Sequence, residues 1–106
     1  MREPGLDTHD WESEWAGLEE ELESSPAETL PALGDLAERM LRERDMPLGE
    51  ESRDADVEEL VGTFRAARDV SDRVDRGEDV DPGDVAFAIE SYREIYAALM
   101  GDVKEA

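Results

Sequence analysis

Hydrophobic residues recur at intervals of three or four along four stretches of the chain, and polar residues fill the positions between them. This spacing places the hydrophobic side chains on one face of an α-helix, because one helical turn takes 3.6 residues. No stretch shows the strict alternation that a half-buried strand requires. The pattern therefore predicts an all-α protein with helices at about residues 8–23, 29–45, 54–76 and 81–100.

The first predicted helix combines a hydrophobic stripe with an acidic surface. Its segment DWESEWAGLEEELESS, residues 10–25, contains seven carboxylates and no Lys or Arg. The hydrophobic residues are spaced four, three and four apart, so they share one helical face. The members of this tryptophan stripe are Trp11, Trp15, Leu18 and Leu22.

Two prolines give conflicting signals for the start of the second helix. The sequence SPAE at residues 25–28 resembles a capping box with proline at the first helical position. In that register Pro31 lies inside the helix. A start near Thr29 places Pro31 in the first turn, where its missing N–H removes no helical hydrogen bond, and we predict this boundary. We expect Gly34 to allow close packing of a tryptophan from the first helix.

The third and fourth helices are predicted to pack as an antiparallel hairpin. In VDPGDV, Asp81 is a good N-cap and Pro82 suits the first helical position. Gly77 suits the position just after the end of the third helix. The connection from the third helix is short, about residues 77–80, so the two helices are neighbours. They carry nearly all of the β-branched and phenolic side chains. We therefore expect this hairpin to form the core, with the first two helices covering it.

The predicted fold is thus one domain over residues 1–106, a four-helix bundle-like structure with a linker at residues 46–53. The chain has 31 acidic and 11 basic residues, and its net charge is −20. Such charge opposes compaction unless salt screens it. The acidic, lysine-poor composition resembles that of cytoplasmic proteins from salt-accumulating halophiles, so we expect a cytoplasmic protein adapted to high salt.

The composition also limits the kinds of functional site that the chain can form. There is no cysteine, which excludes disulfides, thiolate metal sites and a cysteine nucleophile. The negative charge argues against binding to nucleic acids and to anionic membrane surfaces, and no apolar run reaches membrane-spanning length. His9 is the only histidine. Asp79, Asp81 and Glu90 match three positions of a calcium-binding EF-hand loop, but Asp84 replaces the glycine that this loop requires.

One carboxylate pattern suggests an enzyme. Glu19, Glu20 and Glu23 form E-E-x-x-E, and Asp35 and Glu38 follow on the next predicted helix. This arrangement resembles the all-α nucleotide pyrophosphohydrolases of the MazG type. The resemblance implies Mg²⁺ held by these five residues and release of pyrophosphate from nucleoside triphosphates. It covers only these positions, and the second pair stands in reversed order. The pattern is also typical of any acidic helix whose carboxylates face water.

These observations favour a non-catalytic protein that acts by protein–protein contact, either with a partner protein or as a homodimer, without a cofactor. Two tryptophans one turn apart on a terminal helix are suited to an interface. The predicted contact residues are therefore Trp11, Trp15, Leu18 and Leu22. The pyrophosphohydrolase remains one alternative. Another is an acidic mimic of nucleic acid that inhibits a basic protein.

Overall fold

A computed structural model describes residues 4–46 and 55–105, with side chains over residues 10–46 and 55–101. These residues form four α-helices and no strand: α1 (Pro4–Ser24), α2 (Pro26–Glu43), α3 (Ala55–Asp75) and α4 (Pro82–Glu105). The all-α, bundle-like prediction is confirmed. Apart from Met46, the predicted linker lies outside the described residues. None of the four helices, as far as they are described, is long and apolar enough to span a bilayer.

The antiparallel hairpin of α3 and α4 forms as predicted, and the sequence signals at its turn act as expected. Gly77 adopts a φ of +81°, and its N–H donates to the carbonyl of Val74 at 2.9 Å. This left-handed position ends α3 at little steric cost because glycine has no Cβ. Asp81 then caps α4, since its Oδ1 accepts a hydrogen bond from the N–H of Gly83 at 3.2 Å.

The start of α2 differs from the prediction. The helix begins at Pro26, three residues earlier than expected, and Pro31 lies inside it. The side chain of Ser25 makes no capping hydrogen bond. Instead the carbonyl of Ser25 accepts two bonds from Thr29, one from its N–H at 3.1 Å and one from its hydroxyl at 2.7 Å. These bonds hold the first turn, and burial of the following leucine, Leu30, outweighs the helical bond that Pro31 cannot donate.

The second helix lies at the centre of the bundle, where the sequence had placed the hairpin alone. It contacts α1, α3 and α4. The hydrophobic residues of α2 lie on adjacent faces of the helix and are almost completely buried, so α2 is part of the core and not a layer packed over it. These residues are Leu30, Leu33, Leu36, Ala37, Met40 and Leu41. All four helices contribute to the core, because the tryptophan stripe of α1 joins the buried residues of α2, α3 and α4 in one hydrophobic cluster.

Arg68 and Tyr92 occupy the space beside Gly34, where we expected a tryptophan. A Cβ at this position would lie 2.8 Å from the Tyr92 hydroxyl oxygen and would collide with the guanidinium of Arg68. Both tryptophans belong to α1, whereas Arg68 lies on α3 and Tyr92 on α4. The glycine therefore provides room on the α3–α4 side of α2, and it allows polar groups to reach the α2 backbone.

Candidate functional site

The predicted interface residues lie inside the chain's own fold. The tryptophan stripe is buried, with 6–8 % of each side chain exposed. The ring of Trp15 stacks on that of Tyr96 from α4, with centroids 4.4 Å apart and planes 6° from parallel. The guanidinium carbon of Arg44 lies 5.8 Å from the ring centroid of Trp11, within range of a cation–π contact. In this arrangement α1 docks on its own chain, and the stripe forms part of the hydrophobic core.

The predicted metal ligands fall in two separate places. Glu19 faces α4, where both its oxygens accept hydrogen bonds from Arg93 at 2.9 and 3.1 Å. Asp35 and Glu38 face α3, where Arg68 donates to them at 2.7 and 3.3 Å. Glu20 and Glu23 are exposed. Within the described ranges no group of three or more Asp, Glu or His side chains is placed to hold a metal ion.

The residues that match an EF-hand loop in the sequence also lie apart from any metal site among the described residues. Asp81 caps α4, as described above, and Glu90 accepts a hydrogen bond from Arg93 at 2.8 Å. Asp79 is exposed in the turn between α3 and α4. The side chain of His9 lies outside the described residues.

A buried polar cluster, which the sequence did not reveal, joins the three central helices. The hydroxyl oxygens of Ser71 and Tyr92 are 2.6 Å apart. Ser71 also lies within hydrogen-bonding distance, 3.3 Å, of the carbonyl oxygen of Leu30, and Arg68 lies 3.5 Å from that of Pro31. Burial raises the pKa of Tyr92 to about 12, although its bond to Ser71 acts in the opposite direction. The cluster fixes the register of α2, α3 and α4 and leaves no accessible reactive group.

A groove on the surface between α1 and α4 is the best candidate for a functional site. It consists of two adjoining depressions of about 460 and 410 Å³, which share Ala86 and Ile89. The apolar half lies near the starts of α2 and α4 and is lined by Pro26, Ala27, Val80, Pro82 and Val85 in addition to the shared pair. The acidic half lies beside the end of α1 and is also lined by Ala16, Glu19, Glu20, Leu22, Glu23, Glu90 and Arg93.

The groove exists because α1 and α4 meet through only some of their side chains. The Trp15–Tyr96 stack closes one end of the space between them, and the Arg93–Glu19 pair crosses it further along. Beyond this pair the groove continues towards Pro26 and Pro82, at the starts of α2 and α4. The remaining surface is apolar at its floor and accessible to water at its edges.

The acidic half of the groove has an uncompensated negative charge. Four carboxylates line it against one guanidinium, and that guanidinium already binds Glu19 and Glu90. The hydrogen bond with Glu19 raises the pKa of Arg93 above its usual range, so this side chain stays charged. Glu20 and Glu23 have no ion-pair partner among the described residues. Comparisons of the chain with protein-family models, curated proteins and solved structures find no match.

Proposed function

We propose that this chain is a small, non-catalytic protein-interaction module that works in a salt-rich cytoplasm, and that the α1/α4 groove is its contact surface. The observation that carries the proposal is the apolar half of this groove. Apolar floor residues such as Ala86 and Ile89 remain partly open to water on a strongly charged protein. Apolar surface bordered by charged residues is one of the features that contact sites share.

The charge distribution supports adaptation to salt. Many of the described arginines pair with carboxylates across or along helices, for example Arg39 with Glu14, Arg68 with Asp35 and Arg93 with Glu19. The chain has 31 acidic and 11 basic residues, and within residues 10–46 and 55–101 most carboxylate side chains are exposed to water. Their mutual repulsion is screened at molar salt, where the Debye length is about 3 Å. Contact between apolar surfaces is not weakened by this screening.

The placement of the carboxylates does not favour the pyrophosphohydrolase alternative. A Mg²⁺ site needs oxygen ligands that converge on one point. Here Glu19 and the Asp35–Glu38 pair each bind a different arginine, so these carboxylates do not converge on one point. Contact with another protein needs no such convergence.

Peptide selection from a random library tests the proposal without presupposing the partner. Native protein in molar KCl should select peptides that lose binding to Ala86→Gln and retain binding to Ala66→Gln. Ala86 lies in the groove, whereas Ala66 is exposed on α3, so the pair matches in chemistry and differs in place. Peptides that bind both variants equally well, or no enrichment at all, would refute the groove as the contact surface.

Sedimentation of the native chain tests the predicted homodimer, and far-ultraviolet circular dichroism tests the salt adaptation. The helicity should increase from dilute buffer to molar KCl. A dimer that Ala86→Gln dissociates would place a second copy in the groove. Full helicity in dilute buffer would contradict salt adaptation, and the carboxylates would then need another explanation.

A further inference from the structure

We infer that the α1/α4 groove binds a cationic amphipathic helix of another protein. This inference rests on the proposed function and adds the chemistry of the partner. Apolar side chains of the partner lie on the floor formed by Ala86 and Ile89, and its Lys or Arg side chains lie beside Glu20 and Glu23. Helix-in-groove binding of this kind is a recurrent mode of peptide recognition.

The shape of the groove fits a helix. Its residues on α4 run from Pro82 to Arg93 and recur every three or four positions, so they form one continuous face. Eleven residues of helix rise about 16 Å, which is about three turns. A partner helix of similar length, laid along this face, completes the packing that α1 and α4 leave open. Its own apolar residues then need the same spacing of three and four.

The negative charge of the groove indicates that the partner segment is positively charged. Glu20 and Glu23 are exposed on the last two turns of α1 and lie at the edge of the groove. Arg93 already shows how this seam accommodates a cation, because it bridges Glu19 on α1 and Glu90 on α4. A further guanidinium or ammonium group beside Glu20 and Glu23 meets the remaining negative charge, whereas a carboxylate is repelled.

The charge of the groove also disfavours a second copy of this chain as the occupant. Each copy has a net charge of −20. An acidic helix placed in the groove would bring carboxylates next to Glu20, Glu23 and Glu90. A cationic partner gains most from these contacts at low salt, and at molar salt it gains only from charged groups that come within about 3 Å of each other.

Three peptides of equal length separate the contribution of apolar contact from the contribution of charge. The probe is a 14-residue helix, about four turns, with Leu on one face and Lys and Arg on its flanks. One control replaces Lys and Arg by Glu, and the other replaces Leu by Ser. Fluorescence anisotropy at the lowest KCl concentration that retains full helicity should show at least about tenfold tighter binding of the probe than of either control.

Variants of the protein locate the binding. Ala86→Gln should weaken probe binding about tenfold, and Ala66→Gln should leave it unchanged. The double variant Glu20→Gln/Glu23→Gln should reduce the preference for the probe over its acidic control. Glu21→Gln/Glu28→Gln changes the net charge equally with exposed residues that do not line the groove, so the preference should persist.

Each other outcome overturns the inference in a recognisable way. Equal binding of the acidic control means that the groove selects apolar segments without regard to charge, and the proposed function survives. Equal binding of the Leu→Ser control means that attraction of a polycation alone is at work. Failure of all three peptides, together with a dimer that Ala86→Gln dissociates, assigns the groove to a second copy. Failure without a dimer and without selected peptides refutes the proposed function as well.

Discussion

Two of the arginine clusters in the described part of the chain, those of Arg68 and Arg93, have similar composition and different surroundings. Arg68 lies among α2, α3 and α4, where its side chain is 25 % exposed and the space around it is filled so closely that Gly34 has no room for a methyl group. Arg93 joins α1 and α4, where its side chain is 45 % exposed and the neighbouring space remains a groove. Both arginines bind two carboxylates at hydrogen-bonding distance.

The difference shows that an arginine–carboxylate cluster does not by itself determine how closely two helices pack. The residues around the cluster determine it. Around Arg68, a glycine on α2 and small residues such as Ser71 and Ala67 on α3 let the backbones approach. Around Arg93, the tryptophan stripe holds α1 on α2 and, through the Trp15–Tyr96 stack, on α4, and the groove opens beside Glu19. Stability should therefore come mainly from the central helices, and binding from the outer seam.

Removal of a leucine from each region should give the largest effects and the clearest contrast. Leu33→Ala in α2 should lower the free energy of unfolding by about 4 kcal/mol, because Leu33 is fully buried and its site cannot collapse. Leu22→Ala should cost about 2 kcal/mol, because Leu22 lines the groove and water can enter the vacated space. Denaturant titration in molar KCl measures both. Equal losses would mean that Leu22 is packed as tightly as Leu33.

Addition of a methyl group should have opposite signs in the two regions. Gly34→Ala should destabilise the protein by about 2 kcal/mol, because the new Cβ displaces Arg68 and the rigid, hydrogen-bonded Tyr92. Gly17→Ala on α1 should stabilise it by about 0.5–1 kcal/mol, because nothing lies within 4 Å and alanine favours the helix. Thermal unfolding of the two variants at one KCl concentration compares them directly. Stabilisation by both changes would show that the central cluster is loosely packed.

Gly34 also shows where the sequence was informative and where it was not. Hydrophobic spacing was sufficient to predict four helices, and local signals such as Asp81 and Gly77 fixed the hairpin turn, because helix caps depend on neighbouring residues only. The need for a glycine at position 34 depends on Arg68 and Tyr92, which are 34 and 58 residues away along the chain. No local pattern carries that information.

The candidate site was predictable only in part. The stripe of Trp11 and Trp15 was identified as an apolar face, but the sequence does not show whether such a face packs inside its own chain or against another. The groove is a space between α1 and α4, and its lining comes from both helices and from the start of α2. Its acidic rim was visible in the sequence as E-E-x-x-E, which is compatible with a metal site, a solvated face or a binding surface.

The buried hydroxyl of Tyr92 should make stability depend on alkaline pH. Its pKa of about 12 in the folded protein lies above the value of about 10 expected when unfolded. The resulting stabilisation is therefore complete below pH 10 and is lost as the pH rises from 10 towards 12, by up to about 2 kcal/mol. Tyr92→Phe should cost about 1 kcal/mol at pH 8, because Ser71 loses a partner, and should reduce the alkaline loss. An unchanged pH profile in the variant would assign the alkaline transition to other groups.

The smallest effect should come from the Arg93–Glu19 pair, and salt should remove it. A double-mutant cycle with Arg93→Gln and Glu19→Gln separates this contact from the change in net charge, which each single variant also causes. The coupling free energy should be about 0.5–1 kcal/mol at the lowest KCl concentration that keeps the protein folded, and close to zero at molar KCl, because both side chains are partly exposed. The loss in Tyr92→Phe should be the same at both concentrations, since a buried neutral contact is not screened. Coupling between Arg93 and Glu19 that persists in molar KCl would mean that the outer seam is shielded from solvent as the central cluster is, and that the groove is narrower in solution than its open rim implies.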